Sequence, residues 1–134
     1  MADFTYPRAR QYKDFSLSFG SNPVTHDIVT VIDADAVKRS IKTLVLTMAG
    51  EVPFFPKFGS TVNQLLFEPI DTITTTLLEN SLRQTITDYE PRVRLNRILV
   101  TPSADELTYT VDIEFIIVNQ TEPVTLSIFL SRLR

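Results

Sequence analysis

The sequence predicts an α+β fold: an N-terminal arm or strand, then two to three helices packed on a C-terminal antiparallel sheet of about three strands. Three observations carry that expectation. Val37, Ile41, Leu44 and Met48 recur at helical spacing, as do Leu78, Leu82, Ile86 and Tyr89, so each set lies on one helix face. Leu107, Tyr109, Val111, Ile113, Phe115 and Ile117 alternate with polar residues, and Val124, Leu126, Ile128 and Leu130 repeat the pattern, as half-buried strands do. Short polar segments, "PSADE" and "NQTEP", separate the strand candidates and favour an antiparallel meander. Helices that precede strands cover one face of the sheet they meet.

Residues 1–20 form an aromatic and basic arm, with Phe4, Tyr6, Tyr12, Phe15 and Phe19 set among Arg8, Arg10 and Lys13. Phe15, Leu17 and Phe19 alternate with Ser16 and Ser18, which fits a short strand. The arm either packs on its own domain or docks on a neighbour. The helical part, residues 33–92, begins where Asp33 or Asp35 can accept a hydrogen bond from an open N–H. Lys38, Arg39 and Lys42 lie off the apolar face of this helix, and Gly50 is placed to stop it.

Pro53 and Pro56 then break the helix in "GEVPFFPKFGS". The rings of Phe54, Phe55 and Phe58 either fold back as a lid on the core or form a partner-facing patch. Ser60 or Thr61 can cap a short helix carrying Val62, Leu65 and Leu66, which Pro69 ends. Asp71 is the natural N-cap of the next helix, Ile73 and Leu77 are expected to widen its stripe, and Pro91 stops it.

The sheet part, residues 93–134, holds strand candidates at 93–101, 107–118 and 124–130. Val93 and Leu95 share one parity while Ile98 and Val100 share the other, which a regular strand cannot keep on one face. A bulge near Asn96-Arg97 reconciles them; otherwise both faces are buried. Ile116 and Val118 place apolar groups on the otherwise polar face, so that end is expected to be covered by the N-terminal strand or by another chain. A late strand with an open edge, 107–118 or 124–130 or both, is a template for a foreign strand.

Composition narrows the function. The 134 residues suit a single domain large enough for a core. With no cysteine and one histidine, His26, clustered zinc and thiolate chemistry have no ligands, and no cofactor or metal is expected. Three glycines cannot assemble a phosphate loop. A net charge of −3 without a basic run gives nucleic-acid binding no electrostatic support. The apolar run Phe115–Val118 is too short to span a bilayer, and the N-terminus lacks the apolar core of a secretory signal.

His26, in a loop leading to a strand, is expected to be structural. Glu51, Glu68, Asp71 and Glu90 sit near element ends, where a glycosidase would place two carboxylates, but helix caps predict acidic residues there too. No catalytic residue is assigned.

The stretch "DYEPRVRL" holds the remaining candidate. Pro91 disfavours helix at Glu90, so the chain is expected to leave extended, with Glu90, Arg92 and Arg94 on one side and Val93 and Leu95 on the other. The planar arginine fork suits carboxylates or exposed carbonyls. Alternatively Glu90 and Arg92 simply pair, a surface contact worth about 0–1 kcal/mol.

The order of these pieces carries a resemblance. Gly50, Pro53-Phe54, Pro56 and Phe58-Gly59 are followed by Leu66-Phe67-Glu68 and then by Tyr89-Glu90-Pro91-Arg92. From about residue 33 to 130 the chain resembles the baseplate wedge and sheath-initiator proteins of contractile-tailed phages and a similar subunit of type VI secretion baseplates. The arm lies outside this resemblance.

The resemblance implies a non-enzymatic virion protein of the tail baseplate, assembled in the host cytoplasm and built like the terminal domain of a sheath subunit. Its implied partners are baseplate wedge proteins and the tail sheath protein, with tube or hub proteins as further candidates. The Glu-Pro-Arg motif implies docking on the wedge core through Glu90, Pro91, Arg92 and Arg94. Sheath initiation by strand exchange implies a role for Phe115, Ile117, Leu126, Ile128 and Leu130. Some members carry a lysozyme label, so a peptidoglycan-degrading activity is the alternative.

Overall fold

A computed structural model describes residues 12–15, 20–27, 30–103, 108–118 and 120–131. In chain order the elements are β1 (Lys13–Phe15), β2 (Thr30–Ile32), α1 (Ala34–Leu46), α2 (Val62–Leu65), α3 (Thr72–Tyr89), β3 (Val93–Pro102), β4 (Thr108–Ile117) and β5 (Pro123–Ser131). The α+β reading holds: three helices accompany a three-stranded antiparallel sheet in the order β3-β4-β5.

Among the described residues the arm contributes one short strand. It spans Lys13–Phe15 and pairs antiparallel with β2 in a separate ribbon beside α1, so it does not join the sheet. Leu17, Phe19, residues 1–11, Leu107 and the last three residues lie outside the described residues.

Helix α1 buries Val37, Ile41, Leu44 and Val45. It ends at Leu46, earlier than expected; Met48 is exposed, and Gly50 is not its stop. The cause is a chain segment that pairs at its end. Ser60 N–H donates to Thr47 O at 2.9 Å, Ala49 N–H donates to Ser60 O at 3.2 Å, and Ser60 Oγ donates to Val45 O at 2.7 Å. This approach needs a glycine, because a Cβ on Gly59 would lie 2.7 Å from Thr47 O.

Asp71 caps α3 as expected, its Oδ1 accepting Thr74 N–H at 2.7 Å. Leu78, Leu82 and Ile86 are buried along that helix together with Thr74 and Thr85. Ile73 and Leu77 do not widen the stripe; they are exposed. Each lies one residue before a buried position, so a helix turns it about 100° away.

Strand β4 is the centre of the sheet. Val100, Val111 and Ile128 form one cross-strand row of the inner face, and Ile98, Ile113 and Leu126 form the next. The register of β3 shifts between Leu95 and Arg97, which is the bulge the parity conflict requires. It lets Val93 and Leu95 pack against the same core as Ile98 and Val100. On the opposite face Leu99 and Phe129 are exposed, and Ile116 and Val118 are partly buried.

Candidate functional site

The corner between α3 and β3 is built differently from its expected form. Glu90 to Val93 make a turn, with Val93 N–H pointing to Glu90 O at 3.4 Å, and the strand starts only at Val93. Strand parity therefore does not apply to Glu90. Its side chain turns inward and the residue is only 3% exposed, whereas Arg94 stays on the surface. Arg92 donates from Nε to Glu90 Oε1 at 2.5 Å and from Nη2 to Oε2 at 2.6 Å. Ser40 Oγ, from α1, donates to the same Oε2 at 2.6 Å. Pro91 is exposed at the apex.

Burial pushes the Glu90 carboxyl up, but the hydrogen bonds from Arg92 and Ser40, with the guanidinium charge, outweigh it and hold the group below the ordinary glutamate range. The bond to Glu90 raises Arg92 in turn, against the opposing effect of burial. The side chain of Arg92 remains 28% exposed, so the pair is open to a partner through its arginine.

Beside this corner the loop after α1 carries an apolar surface. Phe54 is 96% exposed and Phe55 68%, so the rings are not a lid on the core. Phe58 instead packs edge-on against Tyr89, with ring centroids 5.2 Å apart, and Tyr89 Oη donates to Lys57 O. Phe54, Phe55, Pro56, Lys57, Phe58 and Tyr89 line an open groove of about 470 Å³.

The third feature is the edge of the sheet. Ser103 N–H donates to Thr108 O and Val118 N–H donates to Arg92 O, both at 2.8 Å. Even-numbered residues of β4 therefore bond β3, and the odd-numbered ones exchange their bonds with β5. It follows that Val124, Leu126, Ile128 and Leu130 turn their N–H groups toward β4. Thr125, Ser127, Phe129 and Ser131 turn theirs to the far side, where no described strand pairs with β5. The far edge of β3 is different: Glu79 of α3 accepts Val100 N–H at 3.3 Å.

Strand 107–118 was one of two expected edges, and that expectation is corrected. Phe115 and Ile117 belong to the central strand and are fully buried, Phe115 paired on both sides and Ile117 with β3. Ile128 and Leu130 are also buried, and Leu126 packs against the core. All five face inward, so a partner strand at this edge would meet the backbone and the side chains of alternate residues instead.

Two contributors escaped the sequence reading: Ser40 and Glu79. Ser40 neighbours buried Ile41 but lies fifty positions from Glu90. No local pattern links them. His26 is exposed, with φ 54, in a turn whose N–H donates to Asn22 O at 2.8 Å. Among the described residues no group of three metal-ligating side chains gathers, and no helix is long and apolar enough to cross a membrane.

A family model described as baseplate wedge protein gp25 matches residues 32–122. The baseplate wedge protein gp25 of Enterobacteria phage T4 is 26% identical over 98 residues, 73% of this chain and 74% of that protein. A crystal structure from Geobacter sulfurreducens, provisionally described as a tail lysozyme, superposes with a TM-score of 0.69 at 26% identity, covering 75% of this chain and 91% of the other. A chain of the anti-feeding prophage baseplate superposes with a TM-score of 0.64 at 17% identity, covering 92% and 88%.

Proposed function

This chain belongs to the baseplate wedge protein gp25 family and is a wedge subunit of a contractile-tail baseplate, and we propose that its β5 edge initiates the sheath by accepting a strand. The observation that carries the proposal is the outward set of N–H groups on Thr125, Ser127 and Phe129, whereas the opposite edge, on β3, is already engaged by Glu79. Main-chain hydrogen bonds would supply the attachment, and the exposed side chains of the same residues would set register.

The Glu90-Pro91-Arg92 corner, with Arg94, is the second contact in this reading. It would dock on the wedge core through the part of Arg92 that Glu90 leaves open. The support is a partly exposed guanidinium that Glu90 holds by two hydrogen bonds.

Thr125→Pro tests the edge. It removes an outward N–H without touching the ladder to β4, a place where an edge strand tolerates proline. Tails carrying it should show a baseplate and no sheath; full-length sheath would sink the idea. Ile128→Pro would instead remove a bond of the ladder to β4.

The muralytic reading draws on the description of the Geobacter protein. A glycosidase acid needs a raised pKa, whereas Glu90 is held low. Cell-wall turnover by the protein and by Glu51, Glu68 and Glu90 variants decides it: turnover lost in one of them would establish the enzyme.

A further inference from the structure

The N-terminal ribbon reaches the charged corner. Arg92 Cζ lies 5.4 Å from the centroid of the Tyr12 ring, within cation–π range. Tyr12 is clasped by its backbone: its N–H donates to Asp33 Oδ1 at 3.2 Å, and its carbonyl accepts Asp33 N–H at 2.7 Å. This clasp continues the β1–β2 ladder, whose next pair is Lys13 with Ile32. Asp33 adopts φ 55 and ψ −119, a conformation that side chains rarely take and that persists only where the surroundings enforce it. Its carboxylate serves Tyr12 and does not cap α1.

We propose that Tyr12 is a positioning residue for Arg92: the ribbon holds its ring against the guanidinium while Glu90 takes one edge, so the remaining donors meet a partner's backbone carbonyls in one orientation. The partner clause rests on the docking reading of the corner. Of the five arginine N–H groups two are bonded to Glu90, and the charge of Asp14 on β1 also acts on the guanidinium. Glu90 and Asp14 already offset the charge of the guanidinium. A neutral acceptor, such as the open carbonyls at a helix C-terminus, leaves no uncompensated charge in the interface. A guanidinium ordered beforehand also loses less side-chain freedom on binding.

Side-chain ¹⁵N relaxation of Arg92 Nε–H in the free full-length protein tests the positioning. Wild type and Tyr12→Phe should show an order parameter near about 0.85, and Tyr12→Leu one below about 0.6, with the sheet resonances unmoved. An Arg92 equally ordered in Tyr12→Leu overturns the proposal.

A second arm co-expresses the protein with the other baseplate subunits of its own tail and measures how much of them it retains. Retention should fall about two- to fivefold in Tyr12→Leu and hold in Tyr12→Phe. Arg92→Lys keeps the charge facing Glu90 but loses the fork, and separates the two ideas. Unchanged retention in Arg92→Lys ends the docking reading, while relaxation still decides whether Tyr12 orders Arg92. Retention lost in Arg92→Lys but intact in Tyr12→Leu overturns the proposal.

Discussion

Arg92 grips Glu90 side-on across a single intervening proline, with both oxygens of the carboxylate engaged at 2.5 and 2.6 Å. The same carboxylate accepts a hydrogen bond from the Ser40 hydroxyl. One buried group thus joins the end of α3, the start of β3 and the middle of α1. The contact that presents the arginine also ties the helices to the sheet, and the expected effects of substitutions follow from that double role.

Arg92→Ala should destabilise the protein by roughly 1–3 kcal/mol, because Glu90 stays buried with only Ser40 to satisfy it. Glu90→Leu combined with Arg92→Leu should cost less than the sum of the single changes, since neither leaves a charge stranded. Urea denaturation of the four proteins in a double-mutant cycle measures the coupling.

Stability should depend on acid through Glu90. Its folded-state pKa lies below the ordinary value, so between the two the unfolded chain binds more protons. The stabilisation is complete above the ordinary glutamate pKa and is lost as pH falls through the lower folded one. Denaturation midpoints taken from neutral pH downward should therefore fall less steeply in Glu90→Gln than in the wild type.

Deleting Asn96 should be far more damaging than replacing it. Asn96→Ala loses one exposed hydrogen bond to Glu114 and should cost no more than about 1 kcal/mol. The deletion removes the bulge and turns either Val93 and Leu95 or Ile98 and Val100 out of the core. Exposing two such side chains costs roughly 3–6 kcal/mol, enough to unfold a marginal domain. Thermal melts of the two variants make the comparison.

The loop glycines should separate in the same way. Gly50 has φ +90 with open space around its Cβ position, so Gly50→Ala should cost about 1–2 kcal/mol from backbone strain alone. At Gly59, with φ +114, an added methyl also meets Thr47 O at 2.7 Å and Met48 O at 2.8 Å. Gly59→Ala should cost clearly more than Gly50→Ala, and equal losses in chemical denaturation would contradict the close approach.

Local physics accounts for what was legible in the chain. Leu78, Leu82 and Ile86 announce α3 because helical spacing puts them on one side, and Asp71 and Pro91 bound it by chemistry within a few residues. The parity conflict between Leu95 and Ile98 requires a bulge because strand geometry allows no other way onto one face. Misreadings arose where a distant segment intervened. Met48 fits the stripe of α1 until residue 60 pairs with Thr47 and ends the helix early. Phe54 and Phe55 are apolar enough for a lid, but nothing in the string says which way the loop carries them.

The sequence by itself determined the long helices and the three strands of the sheet, their order, most of the buried face of each and the place where β3 must break register, since these depend on spacing along the chain. Only the tertiary structure decided that β4 is the middle strand, that the open donors of β5 belong to Thr125, Ser127 and Phe129, and that Glu90 turns inward to Ser40 and Arg92 beneath Tyr12. Pairing partners and the direction of a backbone N–H are set when segments tens of residues apart meet, and periodicity along the chain carries no record of that meeting.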